Sequence, residues 1–100
     1  MTIIMKLYID TRDNTKAIVG LDDDLATEPS GEKKSQLVLE LIEKLLKKQS
    51  KQLQDITEIQ VEIGPGSFTG LRVGIAIANA LAWVLNIPGL TRNSFRDKKK

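Results

Sequence analysis

Short apolar runs separated by polar turns open the chain. Ile3–Ile9 is rich in isoleucine and leucine and is followed by the polar segment Asp10–Asn14, which predicts a first strand ending in a turn. Lys16–Leu21 is expected to pair back on it as a hairpin. Residues 22–31 are acidic and then turn-forming, so any third strand there is expected to be short and at a sheet edge.

Two later segments have the period of an α-helix. From Lys33 to about Gln49 helix formers dominate, and the second periodic segment begins near Thr69, continues through Leu85 and ends before a proline and a glycine. Between them, Ile56–Ile63 reads as a strand that stops at a glycine-proline-glycine turn, and a short strand is expected around Leu90. The order of elements predicts an α/β fold, a mixed sheet with helices packed on it and right-handed crossovers.

The amino-acid composition limits which catalytic and binding groups the chain can supply. The 100 residues suit one domain, with 41% hydrophobic and 28% charged residues and no disordered-type bias. The absence of cysteine and histidine excludes disulfides, thiolate nucleophiles, serine-histidine relays and the usual zinc site. Carboxylates, hydroxyls, lysines and backbone amides remain, and these bind phosphate or magnesium. We therefore assign no catalytic residue, resident metal or cofactor.

Neither end of the chain nor its most apolar segment suggests a membrane. Met1–Lys6 does not fit a signal peptide, which favours a cytoplasmic protein. Val73–Leu85 is too short to cross about 30 Å of hydrocarbon. The excess positive charge gathers at the C-terminus, in Arg92, Arg96 and Lys98–Lys100, where it suits either a polyanion such as RNA or a solvated, frayed end.

The segment Gly64–Arg72 connects a predicted buried strand to the start of the second predicted helix. Its candidate phosphate-binding residues are Gly64, Gly66, Ser67, Thr69 and Gly70, because amides at a helix start favour an anion and glycines allow close approach. The run matches neither standard nucleotide-binding motif. The alternative is that the glycines let strand and helix pack tightly, with Ser67 or Thr69 capping the helix.

Asp10, at the end of the first strand, is a candidate cation-binding or cleft carboxylate. Its alternative role is to cap a turn. Spacing does not place a second acid beside it, so an acid–base pair is not indicated.

The helices carry more apolar surface than one sheet needs. In the first, Leu37, Leu41, Leu45 and the neighbouring row Val38, Ile42, Leu46 cover an arc of about 180°, against about 100° for one core. In the second helix, small residues recur every four positions, at Gly70, Gly74, Ala78 and Ala82. Larger apolar residues occupy its other faces: Ile75, Ile77, Leu81, Trp83 and Val84. We predict an apolar helical interface. The alternative is that both helices lie on one face and cover each other completely.

The run Gly64–Arg72, read with Ile9-Asp10-Thr11 and Ala76–Leu81, resembles the TsaB (YeaZ) family. Ser35-Gln36-Leu37 and Ile87-Pro88 also fall where that family's pattern places them. The resemblance covers residues 1–92 and only the family's first lobe; residues 93–100 form a basic tail, and the second lobe is missing. It implies a single actin-like (ASKHA, ribonuclease-H-like) lobe.

The resemblance also implies a function and partners. Family members are non-catalytic, dimer-forming subunits that support threonylcarbamoyladenosine modification of tRNA. They bind the catalytic subunit TsaD, joined by the ATPase TsaE, and contact tRNA at most indirectly. Carried onto this chain, the contact falls on the two helices, at Leu37, Leu41, Leu45, Arg72, Gly74, Ile75, Ala78, Ala82 and Trp83. A homodimer is expected in isolation.

Some positions depart from the family. Lys34 stands where members often have histidine, and the 97–100 ending looks abrupt. The alternatives are a phosphate- or nucleotide-binding half-domain that uses Gly64–Gly70 and Asp10 with magnesium, and a truncated remnant without activity.

Overall fold

The computed structural model describes residues 4–29, 33–65, 68–87 and 91–93, with the backbone alone at residues 68, 69 and 91–93. The predictions for Gly66, Ser67 and the tail beyond residue 93 lie outside these residues. Every predicted strand and helix is found, in the predicted order.

Five strands form one mixed sheet in the order β3-β2-β1-β4-β5. Their bounds are Lys6–Asp10 (β1), Lys16–Leu21 (β2), Asp24–Pro29 (β3), Glu58–Glu62 (β4) and Thr91–Asn93 (β5). β1 pairs antiparallel with β2 and parallel with β4, β2 pairs antiparallel with β3, and β4 pairs parallel with β5. The third strand therefore lies at an edge, as predicted, but its six residues make it as long as β2 and not short.

Two helices, α1 (Lys34–Lys48) and α2 (Phe68–Val84), cover one face of this sheet. Leu7 pairs with Leu21 and Ile59 in the register, and all three are fully buried on that face. α1 packs over β2 and β3, α2 packs over β4 and β1, and the helices also contact each other. The core therefore lies between one sheet face and both helices. A short 3-10 turn, Leu53–Asp55, joins α1 to β4.

Both helices end in the same motif, in which one residue adopts the left-handed conformation. The N–H groups of that residue and of the next one donate to carbonyl oxygens in the last turn of the helix. After α1, Ser50 has φ 56°, its N–H donates to Lys47 O (3.1 Å), and Lys51 N–H donates to Leu46 O (2.8 Å). After α2, Asn86 (φ 60°) stands in the same position. These bonds satisfy carbonyls that each helix end would otherwise leave unpaired.

Within the residues that the structure describes, neither helix is long and apolar enough to cross a membrane.

Candidate functional site

A polar network occupies the sheet face turned away from the helices. Asp10 and Glu62 are nearly buried, with 6% and 5% exposure, and the hydroxyl of Tyr8 lies 3.4 Å from Asp10 Oδ2 and 3.0 Å from Glu62 Oε1. Arg12 Nε and Nη2 each donate to a different oxygen of Asp10 at 3.0 Å, and Arg12 N–H donates to Oδ1 at 3.0 Å. Such a two-pronged ion pair is among the strongest charge-assisted contacts in proteins.

The network changes how its members titrate. Burial raises the pKa of Tyr8 because the phenolate would lose solvation, and the charge of Asp10 and the hydrogen bond with Glu62 act in the same direction. The hydrogen bond with Asp10 raises the pKa of Arg12. The phenol therefore stays protonated and the guanidinium stays charged.

A cavity of about 380 Å³ adjoins this network and is lined by Asp10, Arg12, Asp13, Lys16, Ile18 and Pro65. Asp13 is exposed and accepts hydrogen bonds from the Thr15 hydroxyl (2.6 Å) and N–H (2.7 Å), which lower the pKa of its carboxyl. A cation at Asp10 would have to displace Arg12 from both carboxylate oxygens. The cavity suits a polar ligand, and its two side-chain cations, Arg12 and Lys16, are balanced by the carboxylates of Asp10 and Asp13.

On the opposite face, Thr11 inserts its hydroxyl into the backbone of α2. Thr11 Oγ1 donates to Gly70 O at 2.5 Å and accepts from Gly74 N–H at 3.0 Å. A Cβ added at Gly74 would lie 2.6 Å from that hydroxyl, and one at Gly70 would collide with the Thr11 carbonyl. At Gly70 and Gly74, the absence of a side chain therefore lets α2 pack closely against the end of β1.

Lys34 ties the same loop to α1. Its side chain is nearly buried at 8% exposure, and its ammonium donates to Asp13 O at 2.6 Å and to Thr11 O at 3.5 Å. The residue that departs from the family pattern thus holds the loop that follows β1. Sequence analysis gave it no role, because these contacts join positions more than twenty residues apart.

The predicted phosphate-binding residues are only partly described. Gly64 is buried, accepts a hydrogen bond from Arg12 Nη1 (3.4 Å) and is joined to Pro65 by a cis peptide bond. Gly66, Ser67 and the side chain of Thr69 lie outside the described parts. The anion site at this loop stays a prediction.

Burial corrects the residues assigned to the helical interface. Five of the nine are buried within the chain itself: Leu41, Leu45, Gly74, Ala78 and Ala82. Leu37 and Ile75 are half-buried, and only Arg72 and Trp83 are exposed. The row of small residues in α2 therefore serves the approach of the helix to β1 and β4.

The helices nevertheless do not cover each other completely. Three large apolar side chains remain exposed on them: Trp83 (85%), Val84 (68%) and Leu39 (50%). Leu39 also lines a groove of about 450 Å³ between the helices, together with Ile42, Leu46, Leu53 and Leu81 and with the charged residues Glu43, Lys47 and Lys51. Sequence analysis missed Leu39 and Leu53, although the outward position of Leu39 on the helical wheel was a usable signal.

Comparisons with known proteins agree on one family. The family model described as "TsaD: tRNA N6-adenosine threonylcarbamoyltransferase" matches residues 28–95. The tRNA threonylcarbamoyladenosine biosynthesis protein TsaB of Bacillus subtilis is 54% identical over 35 residues, which are 35% of this chain and 15% of that protein. TsaB of Escherichia coli is 39% identical over 54 residues, or 54% of this chain and 23% of that protein.

A solved structure gives the same result for the fold. YeaZ from Pseudomonas aeruginosa superposes with a TM-score of 0.78 at 25% sequence identity, over 92% of this chain and 44% of that one. The chain thus spans less than half the length of this relative, and its architecture is that of one actin-like lobe. Together with the matched family model, these similarities show that the chain belongs to the threonylcarbamoyltransferase-related family and stands with its TsaB (YeaZ) members.

Proposed function

We propose that this chain is a non-catalytic docking lobe in the biosynthesis of threonylcarbamoyladenosine in tRNA. It binds a TsaD-type catalytic subunit through the outer surface of α1 and α2, and a TsaE-type ATPase joins the complex. The names of the relatives support the pathway, and the match to the TsaD model supports a partner of related fold.

The observation that carries the proposal is the apolar surface left on the helices. We call Leu39, Trp83, Val84 and the adjoining groove the outer helical surface. Leaving one such large side chain in water forgoes about 1.5–3 kcal/mol, a cost that a binding partner recovers. An exposed apolar side chain next to an apolar groove with charged residues around it, as at Leu39, is typical of protein interfaces.

The test is binding to the TsaD homologue of the same organism, by isothermal calorimetry with Leu39→Asp and Trp83→Ala variants. A buried charge at residue 39 or a lost indole anchor should weaken binding at least about tenfold. Leu25→Asp is the matched control, because Leu25 is also exposed (68%) but lies on β3, beside Gly20 on the face away from the helices.

Equal binding by all three variants would contradict docking through this surface. Light scattering on the chain alone decides whether the same surface forms a homodimer. A chain that binds neither itself nor the homologue, and adds nothing to reconstituted tRNA modification, would fit the inactive-remnant alternative instead.

A second candidate function is binding of phosphate or a nucleotide in the cavity beside Asp10. The favouring observation is that Lys16, which forms no ion pair among the described residues, lines it beside Arg12. Titration with ATP and ADP in the presence of magnesium should then release heat that is reduced in Lys16→Glu. Absence of heat at millimolar ligand would leave this cavity without a ligand role.

A further inference from the structure

Four lysines at and just after the C-terminal end of α1 divide into two sets. Lys48 Nζ lies 3.4 Å from Asp24, and Lys44 Nζ lies 4.0 Å from Glu28, so both point toward β3. Lys47 and Lys51 instead edge the groove between the helices, and within the described ranges neither forms an ion pair. Only one acidic residue, Glu43, lines the groove among the described residues. The groove is therefore an apolar floor with a surplus of positive charge at one end.

The dimensions of the floor suit a helix. Leu39, Ile42 and Leu46 are spaced by three and four residues along α1, and Leu81 of α2 and Leu53 complete the lining. Seven residues of α-helix extend about 10 Å, which matches two turns of a bound helix. Amphipathic helices bind such grooves through residues spaced by three, four and seven positions.

We propose that this groove binds an acidic amphipathic helix of the partner protein, with apolar residues on the floor and carboxylates facing Lys47 and Lys51. The inference deepens the proposed function and rests on it. The charge of the edge carries the choice of occupant, because complementary charge guides association and excludes partners of the wrong sign. The chain's own C-terminal residues, Arg96 and Lys98–Lys100, have the wrong sign.

The first experiment measures binding of the TsaD homologue to Lys47→Glu/Lys51→Glu and to the matched control Lys44→Glu/Lys48→Glu. Both variants make the same change in net charge, at the C-terminal end of α1 or just after it, and circular dichroism confirms that each is folded. We expect the first variant to bind about tenfold more weakly and the control to bind within about twofold of the unmodified chain. Binding by the unmodified chain should also weaken with added salt.

If both variants lose affinity equally, or neither does, the acidic-helix proposal is wrong while docking itself stands. If the unmodified chain does not bind the homologue, the proposed function fails, and a second experiment decides about the groove. Two labelled helical peptides share one apolar row and carry either glutamate or lysine beside it. Fluorescence anisotropy should show binding of the glutamate peptide alone, lost in Lys47→Glu/Lys51→Glu.

Equal binding of both peptides, or of neither, would overturn the proposal. Light scattering completes the design. A homodimer that dissociates in Lys47→Glu/Lys51→Glu, without binding of either peptide, would assign the groove to a second copy of this chain and also overturn it.

Discussion

Thr11 joins the end of the first strand to the second helix through a hydroxyl placed between a carbonyl and an N–H of α2. The contact needs glycine at both helix positions, since a Cβ at either would meet Thr11. The helix thereby gives up the better helix propensity of alanine, worth about 1 kcal/mol per position, for a close approach to β1.

Gly74→Ala should therefore destabilise the fold by about 1–3 kcal/mol despite its better helix propensity, because the added methyl group overpacks against Thr11. Urea unfolding measures the change. Thr11→Ala in the same chain removes the obstructing hydroxyl, so the double variant should lose less stability than the two single changes predict. Gly64→Ala is the control, since its Cβ would meet nothing within 4 Å. Additive effects would show that the contact with Thr11 is not the cause.

Tyr8 should resist ionisation in the folded chain. It is the chain's only tyrosine, so its ultraviolet difference spectrum follows this one group. In the unfolded chain it should titrate near the ordinary value of 10.0, while the folded chain stays protonated there because its pKa is raised.

Since the folded state binds the extra proton, the network's contribution to stability is fully present below pH 10 and is lost as pH rises above it. The Tyr8→Phe variant should not show this part of the loss of stability above pH 10. A folded-state titration that coincides with the urea-unfolded one would contradict burial of the phenol.

Residue-scale contacts were the hardest to predict. The sequence allows Asp10 either to bind a cation or to cap a turn, and in the structure it caps the turn by accepting the Arg12 N–H. Its pairing with the Arg12 side chain was not predicted. The contacts of Thr11 with α2 and of Lys34 with the same loop depend on how distant segments pack, and no local pattern encodes them.

At the scale of elements, turn and helix-end chemistry explains why the element bounds were predictable. Strand ends coincide with polar or glycine-proline turns, and the helices end where the sequence offers Ser50 and Asn86 for a left-handed residue. Asparagine adopts that conformation readily, whereas serine does so at a cost.

Ser50→Gly should therefore stabilise the chain by about 0.5–1 kcal/mol, because glycine adopts a positive φ without the clash of a side chain. Thermal unfolding should show a rise of a few degrees. Ser35→Gly, an exposed position in the first turn of α1, should do the opposite, by about 0.5 kcal/mol, since glycine is the poorer helix former. A fall in melting temperature for both variants would rule out strain at Ser50.

The helical wheel did not separate the helix residues that are buried from those that are exposed, because it assumed one covering surface per helix. Val38 and Leu45 of α1 are buried in the core, and Ile42 and Leu46 are buried where they line a groove with Leu53 and with Leu81 of α2. As a whole, α1 contacts both the sheet and α2. A wide apolar arc therefore reflects two neighbours within the same chain. The surface left over belongs to residues outside that arc, Leu39 above all.

At the scale of the whole molecule, the exposed indole offers a direct test of whether the outer helical surface is free. Trp83 is the only tryptophan, and 85% of it is exposed. In dilute solution its emission should be that of a solvated indole, open to quenching by acrylamide. Adding the TsaD homologue, or raising the concentration of a self-associating chain, should shift the emission to shorter wavelength. If Trp83 emitted at the shorter wavelength of a buried indole at every dilution, this surface would already be covered.

The alternation of side chains at the end of β1 places its last residue and the residue that follows it on opposite sides of the sheet. Asp10 joins the polar network, and the next residue, Thr11, enters the helix layer. Deleting a single residue from β1 would exchange them, bringing a carboxylate against the helix glycines and a neutral hydroxyl to Arg12. Contacts on both faces of the sheet thus fix the register of β1. This lobe should therefore tolerate substitutions at the edge of its sheet far better than any change of length in its central strand.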